Sequence, residues 1–317
     1  MSTSGSINFN QTRNELIQDA YALIGVYGIG RTISSEDMQT ASNFLNKMVK
    51  AYMADGLHLW AKEEAYLFVA DNIGEYTLSG DSSSARACLR SDAVITELTA
   101  AAAASATTLS LVSTDMTVGD FIGVVGDDHV VSWTTIATIP GATSVTITTG
   151  LTSAAASGAN VYTFTSRIQK PLRILSMRRV EGGPTSPNAI SMSMLSQQEY
   201  FDIPSKNTNS QTTSVYYNPD LTTGRLYLYP RPADPNTYFE FTYERMLEDF
   251  DASTDNPDFP SEWLECLTYQ LAVRLALPFG KSALLMTLKP MADEMYQKAL
   301  SFDTEITSIS FSSDTGN

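Results

Sequence analysis

The sequence predicts an α+β protein, with a helical bundle formed by N- and C-terminal helix pairs, an antiparallel β platform, and an inserted small β-sandwich or barrel. Three observations predict it. Amphipathic helical pairs lie near both ends, over residues 12–56 and 260–303. Alternating apolar patterns and turn residues fill the space between them. Within that space, residues 94–165 lose almost all charge and turn to Ala, Thr, Ser, Val and Gly. A helix buries its apolar stripe only against another element, so two pairs most simply close one core from which the middle is extruded. The expected division is residues 10–60 plus 258–303 for the bundle, 61–93 plus 166–257 for the platform, 94–165 for the insert, and 304–317 for a polar tail.

Each element has a local reason. Thr12 followed by Glu15 reads as a capping box, and Leu16, Ile17, Ala20, Leu23 and Ile24 follow at helical spacing. Gly25 ends that helix. Ser34 or Ser35 caps the second, with Glu36 and Asp37 in its first turn to suit the dipole. Met38, Ala41, Leu45, Met48 and Tyr52 form its stripe, and Gly56 stops it. Residues 65–69 and 75–78 flank Asp71-Asn72-Ile73-Gly74 and read as a hairpin, whereas 81–91 read as a loop. In the insert, residues 106–111 resemble 142–147, and Gly119-Asp120-Phe121-Ile122 resembles Gly158-Ala159-Asn160-Val161. Such a repeat of strand, glycine turn and strand suits a small antiparallel barrel or sandwich. Tyr216, Tyr217, Tyr227, Tyr229, Tyr238 and Tyr243 mark platform strands separated by Pro-rich turns. Pro260 opens the third helix, with Leu264, Leu267 and Leu271 as its stripe. The last helix is expected to face Leu284, Leu285, Leu288, Met291, Met295 and Ala299 inward, with Pro290 kinking or splitting it.

Composition bounds the function. Of 317 residues 43% are hydrophobic, enough for a real core. Lys plus Arg number 20 against 35 Asp plus Glu, a net charge of −15. That balance disfavours a protein that clamps nucleic acid, although DNA can slide past an acidic wall without sticking. Cys88 and Cys266 lie far apart and show neither disulfide nor metal spacing. The polar start of the chain carries no signal-peptide pattern, and no apolar run approaches the ~20 residues of a membrane helix, so synthesis in the cytoplasm without membrane insertion is expected.

Motifs for chemistry are weak. Gly25-Val-Tyr-Gly28-Ile-Gly30 follows a helix and lacks the Lys-Ser/Thr of a phosphate loop. Asp127-Asp128-His129 fits a turn after Gly126 better than a metal site. Residues 251–256 echo a calcium loop without its glycine or its distal glutamate. The acids from Asp251 to Asp258 are the weakest of the alternatives, a hydrolase pair. The reading is therefore no catalysis, no metal and no cofactor. Arg167, Lys170, Arg173, Arg178 and Arg179 are locally basic and suit either a DNA-facing strip or, as favoured here, pairing between subunits. The tyrosines suit a core or a protein interface more than a sugar site.

Residues 23–26, 45–48 and 55–60 together resemble the N-terminal helical hairpin of phage head-to-tail adaptors, also called tail accessory or packaged-DNA-stabilisation factors. Asp258-Phe259-Pro260-Ser261-Glu262-Trp263, the run 271–276 and Phe279-Gly280 resemble their third helix. Tyr229-Pro230-Arg231-Pro232 before a Tyr-rich strand is similar to larger, β-containing members from short-tailed phages. The resemblance implies a structural virion protein in the neck between capsid and tail. It further implies a homo-oligomeric ring of about twelve copies beneath the portal protein. The ring would extend the DNA channel without specific DNA binding and dock the tail nozzle or tube, with fibre or spike proteins as further partners. The tail residues Ile306, Ile309 and Phe311 would face the portal, in the manner of strand addition. The alternative is a docking module for tail fibres or tailspikes, or a glycan-binding module, of a phage tail.

Overall fold

A computed structural model describes residues 5–28, 30–55, 59–80, 86–184 and 186–303, and its class is α+β. The elements in chain order are α1 (Arg13–Leu23), α2 (Ser35–Asp55), β1 (Lys62–Phe68), β2 (Glu75–Leu78), β3 (Ala87–Leu89), β4 (Ala93–Glu97), β5 (Thr108–Ser110), β6 (Phe121–Val125), β7 (Val131–Gly141), β8 (Ser144–Ile147), β9 (Asn160–Phe164), β10 (Arg173–Glu181), β11 (Asn188–Ser191), β12 (Ser193–Met194), α3 (Gln197–Phe201), β13 (Asn209–Ser210), β14 (Ser214–Pro219), β15 (Gly224–Tyr229), β16 (Arg231–Pro232), β17 (Tyr238–Glu244), α4 (Leu264–Ala276) and α5 (Leu285–Phe302). They fall into two compact units, residues 1–61 with 247–317, and residues 62–246.

In the first unit the capping box at Thr12 forms, with the Thr12 amide donating to Glu15 Oε2 at 2.7 Å and the Glu15 amide donating to Thr12 Oγ1 at 3.4 Å. Gly25 follows α1 at φ 63°, a left-handed conformation in which a side chain would be strained. Ser34 caps α2, its Oγ accepting from the Asp37 amide at 3.1 Å. One apolar core gathers Leu16, Ile17 and Ala20 of α1, Leu45 and Met48 of α2, Leu267, Leu271 and Leu275 of α4, and Leu288 and Ala299 of α5. The returning chain is tied to α2. Asn46 donates to the Phe250 carbonyl at 3.2 Å and accepts from the Phe250 amide at 2.9 Å, while Lys50 pairs with Asp249 at 2.7 Å. Two details differ from the periodicity. Leu284 and Met291 are exposed. Leu284 belongs to a 3-10 turn, Ser282–Leu284, ahead of α5, and the buried stripe runs through Leu288, Ala292 and Ala299, one position round from Met291. α5 also continues unbroken through Pro290.

In the second unit β1 does not form a hairpin with β2. β1 is flanked on both sides, by β17 and β3, in a five-stranded sheet ordered β11-β10-β17-β1-β3, and β2 joins β15 in a four-stranded sheet ordered β12-β14-β15-β2. With both edges of β1 used, β2 can pair only elsewhere. Strand β3 forms within the stretch that reads as a loop. The apolar faces of the two sheets share a core of Leu67, Leu78, Met177, Val215, Leu226 and Phe241.

Residues 93–164 build a six-stranded antiparallel sheet ordered β4-β9-β6-β7-β8-β5. Its edges meet, since Leu98 and Leu111 bridge just beyond β4 and β5, and the Thr99 amide donates to the Ser110 carbonyl at 2.9 Å. The first two repeated segments pair with one another, with Leu109 opposite Val145, whereas the second two fall on neighbouring strands, β6 and β9, with Phe121 opposite Phe164. Gly119 and Gly158, the matching glycines of the repeat, both take positive φ, 98° and 84°. Inside lie Leu109, Leu111, Ile122, Val124, Val145 and Val161. A separate aromatic core joins this sheet to the platform strands through Phe68, Cys88, Tyr162, Phe164, Val180 and Tyr238.

Candidate interaction surfaces

The residues that most resembled chemistry serve local structure. Asp128 Oδ1 accepts from Ser153 Oγ at 2.7 Å and from the Val130 amide at 3.1 Å, and these bonds hold its carboxyl below the usual aspartate range. Asp127 accepts from the Ala156 amide at 2.9 Å, and His129 takes φ 60° in the same turn. Asp255 accepts from the Asp251 amide at 2.8 Å, and Asp258 from the Glu248 amide at 3.1 Å, so these acids cap turns. Cys88 and Cys266 are buried; burial pushes both thiols up, Cys266 to about 11. No group of three or more His, Cys, Asp or Glu suited to a metal occurs among the described residues. No helix among them is long and apolar enough to cross a membrane.

The five basic residues expected to pair subunits do not form one strip. Arg179 is only 6% exposed. Its Nε stands 2.8 Å from Glu181 Oε1, an ion pair without hydrogen-bond alignment, and its Nη1 donates to the Thr212 carbonyl. Beside it on β10, Arg178 lies on the opposite face, as strand alternation requires, and is itself exposed. Arg173 Nε lies 2.7 Å from the buried carboxylate of Glu244, and Lys170 donates to the Leu221 carbonyl at 3.2 Å. Arg167 lies over the Phe121 ring, 4.4 Å from its centroid. The residues Ile306, Ile309 and Phe311 lie outside the described residues.

Arg167 has a neighbour that no stretch of the sequence signals. Arg86 lies over the Trp133 ring at 4.9 Å, and the two guanidinium groups line one hollow of about 250 Å³ together with Phe121 and threonines of β7 and the loop after β8. The floor follows from register. Phe121 faces Thr135 and Gly123 faces Trp133, so these four residues share one face of the sheet. Trp133 lies flat because Gly123 has no side chain; a Cβ there would stand 2.8 Å from the indole. The wall is held by Thr135 and Thr148 hydroxyls 2.9 Å apart, and by the Thr149 amide donating to Thr134 Oγ1 at 3.0 Å. Arg86 and Arg167 are about eighty positions apart in sequence, so no local pattern signals the pair.

A second surface is aromatic. Tyr216 and Tyr227 are cross-strand partners whose rings stack at 5.6 Å and 14°. The short α3, capped by Ser196 and Glu199, lays Tyr200 against both at 5.4 and 5.1 Å. Phe201 follows, 60% exposed. Arg225 rims this face, 3.0 Å from Glu75 and 3.1 Å from Asp220. Of the other platform tyrosines, Tyr238 and Tyr243 are buried, with the Tyr243 hydroxyl donating to Glu63 at 2.7 Å.

Turn-capping acids, buried thiols and faces of stacked aromatics and arginines describe a protein built for contact. The sequence profile of the SU10 adaptor protein family matches residues 12–312, and the chain belongs to that family. It is therefore a phage adaptor, a virion component with a structural role. No curated protein matches the chain.

Proposed function

We propose that this chain is a head-to-tail adaptor of a short-tailed phage, a larger β-containing variant of that class, forming a ring of about twelve copies beneath the portal. The ring extends the DNA channel, docks the tail nozzle or tube, and works without catalysis. The observation that carries this reading is the span of the family match, residues 12–312, which takes in helices and β-sheets together. In the proposed organisation the terminal helix pairs close one bundle as the adaptor core, and the 304–317 tail reaches the portal. Net charge −15 supports a channel wall that DNA passes without binding. Of the basic set, Arg167 and Arg178 are the members proposed to meet a neighbour, since Arg173 and Arg179 hold carboxylates of their own chain.

Sedimentation velocity of the chain alone and mixed with its portal tests this. The expected result is a complex with roughly one adaptor copy per portal copy. A chain that stays monomeric beside the portal overturns it.

The exposed Phe201 above the Tyr200, Tyr216 and Tyr227 stack supports a second role, a docking face for a fibre or spike protein. Phe201→Ala should then leave rings intact and strip fibres from particles. Unchanged fibre occupancy refutes that role.

A further inference from the structure

We propose that Ile306 seats in an apolar hollow beside the C-terminal end of α5 of its own chain. The 304–317 segment is then anchored at its start, and Ile309, Phe311 and the residues beyond are left for a partner. This goes beyond the ring reading and stands whether or not a ring forms. The hollow belongs wholly to the first unit. It measures about 220 Å³ and is lined by Leu59, Trp60, Pro260, Trp263 and Phe302, with Asp303 on its rim. Leu59 and Trp60 come from the 3-10 turn Leu59–Ala61 after α2, Pro260 and Trp263 from the turn ahead of α4, and Phe302 is the last residue of α5. The Trp60 and Trp263 rings meet at 4.9 Å and 58°, which sets one wall. Asp303 closes α5, its amide donating to the Leu300 carbonyl at 3.1 Å. Its Oδ1 accepts from the Leu59 amide, so the point where the chain leaves the helix is tied to the hollow. Among the described residues, Phe302 is nevertheless 76% exposed at the mouth.

The occupant follows from reach. Residues 304–317 start at this rim, and an extended chain spans at most about 3.6 Å per residue. Ile306, three positions past Asp303, therefore stays within about 11 Å of it, whereas Ile309 and Phe311 can travel about 22 and 29 Å. Of the three large apolar side chains in the segment, Ile306 alone is held beside the hollow. A cavity of roughly 150 Å³ holds benzene, so this one has room for a four-carbon side chain. Seating Ile306 removes apolar surface of Ile306, Phe302 and Leu59 from water together, which offsets the ordering of a connection of only Thr304 and Glu305. The segment carries two charged side chains, Glu305 and Asp314, so the net charge of the chain does not decide where it lies. Residues 56–58 lead into Leu59 and are the competing occupant.

The test uses the full chain without the portal. Cys88 and Cys266 are buried, so a cysteine added to the segment reports on its own cover. In a maleimide reaction Ile306→Cys should label about tenfold or more slowly than Ile309→Cys and Phe311→Cys. Adding Phe302→Ser, a change at an exposed side chain, should bring the three rates together. A second measurement needs no cysteine: acrylamide quenching of tryptophan should rise in Ile306→Ser and in a chain cut after Asp303, and stay unchanged in Leu57→Ser. Equal labelling rates overturn the anchor, as does quenching unaffected by loss of residues 304–317. Quenching that rises in Leu57→Ser instead makes residues 56–58 the occupant. Protection of Ile306→Cys that grows with protein concentration assigns the hollow to a second copy, and protection that appears only with the portal assigns Ile306 to the portal; each overturns the anchor. A chain that is protected yet never assembles on the portal refutes the ring alone.

Discussion

Gly123 shows how one missing side chain sets a surface. Its hydrogen lets the Trp133 indole lie flat across β6, and the exposed ring face is what Arg86 covers. Gly123→Ala places a Cβ 2.8 Å from that ring, so it should destabilise the fold by about 1–3 kcal/mol, read from a denaturant midpoint, and disturb the Trp133 environment. The cysteines give a second prediction. Thiolate is the reactive form, and burial holds Cys266 up to about 11 and Cys88 higher. A thiol reagent at pH 8 should therefore label neither residue in the folded chain and both after unfolding; fast labelling of native protein would contradict their burial. At this scale the sequence was only partly readable. The turn around Asp127 and Asp128 was legible because glycine and aspartate act locally. The Arg86–Arg167 pair was not, because it exists only when residues far apart in the chain meet on one sheet face.

Helix ends and strand partners differ in how far their causes reach. The capping boxes at Thr12 and Ser196 close over three residues, and the one at Thr12 is visible in sequence for that reason. Thr12→Ala should cost about 1 kcal/mol. The stripe of α5 was harder. Apolar residues at 284, 285, 288, 291 and 295 fit more than one face, and packing selected the one through Leu288, Ala292 and Ala299. Leu288→Ala should then cost about 2–5 kcal/mol, whereas Leu284→Ala should change stability by about 0.5 kcal/mol or less. Equal losses at both positions would contradict the stripe. The pattern at 65–78 looked like a hairpin because alternation and a turn are local, yet partner choice is not: β17, nearly two hundred residues away, takes the edge of β1. The internal repeat was the reverse case. Its matching segments fell on neighbouring strands, β5 beside β8 and β6 beside β9, so a weak similarity in sequence reported proximity in space.

For the whole molecule, the 94–165 segment cannot be treated as an appendage. Phe68, Cys88, Val180 and Tyr238 of the platform strands are buried against Tyr162 and Phe164 of the six-stranded sheet, with Phe68 and Tyr162 stacked at 4.5 Å. Deleting the segment would uncover that core, so point changes such as Arg167→Gln or Phe201→Ala separate contact from folding more cleanly. Composition already carried the coarse identity: strong net negative charge, scattered histidines and cysteines, and helices at both ends around a β middle suit an assembly part. Copy number and partner order are set by surfaces that meet other chains, which no single chain spells out. The central claim is that copies of this chain close a ring on the portal. Image averaging of the purified chain mixed with its portal measures it most directly. A closed ring of about twelve adaptor copies coaxial with the portal, with an open axial channel wide enough for duplex DNA, is expected; portal particles without added density, or adaptor density off the axis, would overturn it.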